Sequence, residues 1–196
     1  MRARTLAALA LVATGCATTQ VQRLDSNVVV DVSGRWNDTD SRLVAEEMIH
    51  DSLSRPWLAN AEQKKGGQPT VIVQAVRNTS MEHINTGVFV EDLQRELINS
   101  GRVQFVASAD ERQGLRAERA DQDTNASEQT RKAHGQETGA DFALSGTISS
   151  VQDKEGGVSV VLYQVNLKLL DMQSNQIVWN GQKKIQKQVT RATATW

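Results

Sequence analysis

Apolar and polar positions alternate along this chain with spacings that assign element types. Val28, Val29, Val30 and Val32 form a nearly unbroken β-branched run, the pattern of a strand covered on both faces. Ser33-Gly34 closes the run. Asn37, Asp38 and Thr39 are then three successive candidate N-caps, with Asp40 set to meet the positive end of a helix dipole. In the helix that follows, Leu43, Val44, Met48, Ile49 and Leu53 share one side, while Glu46, Glu47, His50 and Asp51 share the other. Strand, sharp exit and amphipathic helix, spanning Val28 to Leu53, form the unit around which a core is expected.

Arg55-Pro56 reads as a helix stop, Asn60 to Pro69 as a loop, and Thr70 to Val76 as a second buried strand. Asn85 or Thr86 caps a helix whose Phe89, Leu93 and Leu97 recur every four residues, with Gly101 just past its end. Val103 to Val106 makes a short strand. Ser108-Ala109-Asp110-Glu111 fits a capping box opening an unusually polar helix in which Leu115 is the only large apolar residue. A break is expected over Asp121 to Asn125, and another helix over Ser127 to Glu137. Period-two alternation then marks three strands. The first starts at Phe142 and ends in a turn at Asp153 to Gly157. The second turns Val161, Tyr163, Val165, Leu167 and Leu169 inward. The last has Ile177, Trp179, Ile185 and Val189 as its buried side. Helix-linked strands followed by a meander predict one α/β domain, residues 27–196, with a mixed sheet flanked by about four helices.

Charge and cysteine usage narrow the partners. The 196 residues carry 22 basic and 23 acidic groups, and removal of Arg2 and Arg4 with a leader leaves 20 against 23. That balance argues against nucleic acid. The single cysteine excludes an internal disulfide and the paired-cysteine metal motifs. Arg2 and Arg4, then the short apolar stretch Leu6 to Ala13, read as an export signal over residues 1–15. Val12-Ala13-Thr14-Gly15-Cys16 resembles a bacterial lipobox, which implies a lipidated Cys16; a plain secretory signal with a chance cysteine is the alternative. Residues 16–26 form a polar tether, and ten such residues extend at most about 35 Å.

No catalytic constellation emerges. There is no Gly-x-Ser-x-Gly elbow, and His50, His83 and His134 lie far apart in sequence. Glu46, Glu47 and His50 are compatible with a metal site or with a solvated helix face, but no His-Glu-x-x-His is present. Ser33-Gly34 before a helix start suits an anion or a structural cap; the glycine pattern of a phosphate loop is missing. The chain reads as a non-enzyme without cofactor or metal. Its binding candidates are Arg112, Arg116 and Arg119, on one face of the polar helix and suited to an acidic partner or to local ion pairs, and Arg35 with Trp36 at the strand exit. For Trp36 the alternative is folding back onto the core. Lys183, Lys184 and Lys187 fit a guarded sheet edge.

Asp31 to Arg42, with Val44-Ala45-Glu46-Glu47-Met48, resembles the LpoB family of penicillin-binding-protein activator lipoproteins. The resemblance continues through Phe89 to Leu93, Leu115 to Arg119, Gly139 to Gly146 and Tyr163 to Leu169. It implies a fold similar to the N-terminal domain of TolB and a monomeric lipoprotein on the outer membrane, facing the periplasm. It also implies allosteric activation of a class A penicillin-binding protein by docking. No cofactor is implied. The chain departs from the family's best-known members in lacking their long, Pro-rich linker. The alternatives are a subunit of an outer-membrane secretion pore resembling the curli export lipoproteins, built on the long hairpin from Val158 to Val189, and a periplasmic binding module that activates nothing.

Overall fold

In a computed structural model of the chain, which describes residues 22–25, 28–131 and 135–190, nine elements follow one another. They are α1 (Asp38–Leu53), α2 (Pro56–Lys65), β1 (Thr70–Asn78), α3 (Thr86–Asn99), β2 (Gln104–Phe105), α4 (Ala109–Asn125), β3 (Phe142–Glu155), β4 (Val158–Asp171) and β5 (Ile177–Thr190). The strands form one mixed sheet in the order β2-β1-β3-β4-β5. β1 pairs in parallel with β2 and β3, because helical connections return the chain to the same end; β3, β4 and β5 pair antiparallel. The result is the expected single α/β domain. The leader, Cys16 and His134 lie outside the described residues.

One face of the sheet carries the core. Val71, Val73, Leu144, Ile148, Val161, Tyr163, Val165 and Leu167 meet Val44, Met48 and Ile49 of α1 and Phe89, Leu93 and Leu97 of α3. Each such side chain contributes about 1.5–3 kcal/mol on burial, so this layer dominates the stability. Of the three cap candidates, Asn37 takes the position: its side chain accepts from Asp40 N, and Asp40 answers onto Asn37 N. Asn85 caps α3, and Ser108 with Glu111 forms the capping box of α4.

Several expectations fail for identifiable reasons. Val28 to Val32 is not a strand and is exposed, Val32 at 91%. The backbone just after it is held by side chains instead of a ladder. Tyr163 Oη lies 3.0 Å from Gly34 O and Lys187 Nζ donates to Arg35 O (3.1 Å), which draws the chain across the sheet end. Gly34 permits that crossing, since a Cβ there would stand 2.6 Å from Val189 Cγ2. α1 does stop ahead of Arg55-Pro56, but Asn60 to Lys65 is helix and not loop: Pro56 occupies the first turn of α2, where its missing N–H is no loss, and Trp57, Leu58 and Ala61 are buried behind it. α4 runs unbroken to Asn125. Beyond it, Thr130 N and Arg131 N both bond Ser127 O, a single turn, and the described residues up to Glu137 form no helix. β3 extends to Glu155, and the reversal is Gly156-Gly157, both at positive φ (55° and 82°). A bulge in β5 pairs Leu169 with Trp179 but Leu170 with Ile177, which turns Ile177 outward. On α1, Leu43 is exposed and Asp51 half-buried, accepting from Trp179 Nε1 at 2.9 Å.

Candidate interaction surface

Trp36 and Arg35 enter the domain at the β4–β5 end. Trp36 is half-buried, edge-on to Tyr163 (5.6 Å, 67°) and Phe89 (6.1 Å, 83°), and its Nε1 donates to Ser41 Oγ at 2.8 Å. Arg35 is exposed and held by its backbone. Lys187 is the cation of this junction: only 8% exposed, it donates to Asp40 Oδ2 (2.6 Å) and Asp31 Oδ1 (2.7 Å). The lysine expected to guard an edge is therefore buried. Burial works against its charge, but Asp31 and Asp40 outweigh it and raise the Lys187 pKa. The bond from Lys187 holds the Asp31 carboxyl below its usual value, more than its partial burial raises it. Desolvation, then the 2.7 Å bond to Glu82 Oε1, pushes the Tyr163 hydroxyl well above the usual tyrosine range.

α4 is different in kind. It buries no residue, and its Leu115 is 51% exposed. Arg112, Arg116 and Arg119 do share one face, and all three turn to a single carboxylate, Glu137, which leads into β3. Arg116 is bidentate: Nε donates to Oε1 at 2.8 Å and Nη2 to Oε2 at 2.7 Å. Arg119 Nη1 stands 3.7 Å from Oε1 and Arg112 Nε 3.9 Å from Oε2. The Arg112 Nε is buried and has no hydrogen-bond acceptor among the described residues. The bond from Arg116 holds the Glu137 carboxyl below its ordinary range. The two sets of candidates attach to different edges of the sheet, Arg35 and Trp36 beside β5 and α4 directly after β2.

Glu46, Glu47 and His50 line an open groove of about 610 Å³ between α1 and β5, where Lys183 reaches Glu47. Among the described residues no group of three or more His, Cys, Asp or Glu is arranged to hold a metal ion. Pattern reading missed Lys187, Tyr163 Oη and Glu137. Lys187 did carry a signal, since it falls in the inward register of Ile185 and Val189; Glu137 carried none, because it lies 21 residues from Arg116, at no helix or strand spacing.

These features define the class: a single α/β domain whose distinctive surface chemistry is ion pairing. The sequence supplies the rest. The chain belongs to the LpoB family; the family model described as peptidoglycan-synthase activator LpoB matches residues 40–185. That places it in a family of regulators of peptidoglycan synthesis. No curated protein sequence matches it. Among solved structures, the LpoB C-terminal domain from Salmonella enterica is 18% identical, with 76% of this chain and 99% of that chain covered and a TM-score of 0.43. The LpoB C-terminal domain from Escherichia coli gives 18%, 74%, 98% and 0.43. Lipoprotein GNA1162 from Neisseria meningitidis gives 14%, 64%, 88% and 0.39. Among the described residues, no helix is long and apolar enough to cross a membrane.

Proposed function

We propose that this chain is a lipid-anchored regulator that binds and activates a class A penicillin-binding protein. The observation that carries this reading is the family match over residues 40–185. Residues 1–15 are the export signal, Cys16 bears the lipid, and residues 16–26 tether the monomeric domain to the outer membrane, facing the periplasm. Because ten tether residues reach at most about 35 Å, the synthase has to project outward to meet the domain. Arg112, Arg116 and Arg119 supply the charged contact surface, with Arg35 as a second contact. Trp36, packed between Tyr163 and Phe89, holds Arg35 in place instead of inserting into the partner. What weighs against the secretion-pore alternative is that Val161, Tyr163, Val165, Leu167 and Leu169, the hairpin side that lipid would meet, are buried in the core.

The test is glycan polymerisation by each class A synthase of the organism, with and without purified residues 17–196. A several-fold rise with one synthase is expected. Absence of both binding and rate change with every synthase would contradict the proposal.

A further inference from the structure

Three guanidiniums surround one carboxylate on α4, and the cluster is out of balance in two ways. Its formal charge is positive, three cations against one anion. It also has more donors than acceptors: Glu137 binds the Arg116 fork through both oxygens, Arg112 and Arg119 stand 3.9 Å and 3.7 Å from it, and among the described residues the buried Arg112 Nε has no acceptor. An unmet buried donor is unfavourable, so a better-matched occupant would carry more than one carboxylate. α4 buries nothing, and Leu115, on the same helix, offers an apolar contact beside the charges.

We propose that Arg112, Arg116 and Arg119 form a clamp for an acidic segment of a partner protein, and that Glu137 is its internal occupant, displaced on docking. The identity of that partner as the synthase rests on the function proposed above; the clamp itself does not. Glu137 then has a regulatory part. It neutralises the arginines in the free domain, so only a segment with several carboxylates competes it away, and single anions do not. The exchange conserves ion pairs: Arg116 trades one bidentate carboxylate for another, while Arg112 and Arg119 gain carboxylates closer than the 3.9 Å and 3.7 Å at which they meet Glu137.

The test uses the purified full chain, labelled for NMR of arginine Nε–Hε groups and titrated with a hexaglutamate peptide at low salt, without any synthase. The Nε signals of Arg112, Arg116 and Arg119 are expected to move together. E137Q should tighten hexaglutamate binding about tenfold, and R116A should weaken it by a similar factor. A hexaglutamine peptide should move none of the three signals. Equal affinity in wild type and E137Q, or binding that survives R112A/R116A/R119A, would overturn the proposal. Tighter capture by phosphatidylglycerol vesicles than by hexaglutamate would overturn it in favour of a membrane ligand. Because no synthase is present, a failed clamp and a failed activator reading remain distinguishable.

Discussion

Lys187 with Asp31 and Asp40, and Arg112, Arg116 and Arg119 with Glu137, are both clusters of cations around carboxylates, yet they sit in opposite environments. Lys187 is 8% exposed and sealed between α1, β5 and the entering chain, so its charge is balanced by two carboxylates and a backbone carbonyl. The arginine side chains stand on a helix that buries no residue, 30%, 60% and 37% exposed, and all three share the one carboxylate of Glu137. Burial demands complete pairing because an uncompensated charge cannot be left in a dry site. Exposure permits incomplete pairing, and incomplete pairing is what leaves a surface able to exchange partners. The first cluster is architecture that locks the N-terminal segment onto the sheet; the second is suited to binding.

The sharpest way to break this comparison is K187A, which strands Asp40. It should cost about 3–5 kcal/mol of unfolding free energy, read by urea denaturation. A loss under about 1 kcal/mol would show that the junction is not closed. Y163F removes only the hydroxyl that donates to Glu82 and lies 3.0 Å from Gly34 O, and a loss of about 1–2 kcal/mol is expected in the same assay.

The pH profile sharpens the contrast further. The Asp31 pKa is lowered below 3.8, so its contribution is present above that value and lost as pH falls through the folded value. The Lys187 pKa is raised above 10.5, so its contribution is present below that value and lost as pH rises through the folded one. The unfolding midpoint should therefore hold across neutral pH and fall at both ends, and K187A should flatten the alkaline fall. R116A, in contrast, should leave the unfolding midpoint where it is, because its pair lies at the surface.

Elements set by local rules were legible. The Asn37 and Asn85 caps, the Ser108–Glu111 box and the inward alternation of β4 all appear as the side-chain chemistry dictates. What escaped reading depends on contacts distant in sequence. The valine run at 28–32 has every local mark of a strand, but Tyr163 and Lys187, more than a hundred residues later, hold its exit elsewhere. The bulge that turns Ile177 outward has no residue signature, and Pro56 is as suited to starting a helix as to ending one. At the candidate surface the arginine stripe was visible from its spacing, whereas its occupant, Glu137, was not.

The most direct measurement of the central claim is the glycan polymerisation rate of the cognate class A synthase, titrated with wild-type residues 17–196 and with R112A/R116A/R119A. The account predicts a several-fold rise with wild type. The triple variant should need at least about tenfold more protein for half-maximal stimulation, with the unfolding midpoint unchanged. No rise with wild type at any concentration would contradict the activator role, and identical titrations for the two proteins would contradict docking through α4.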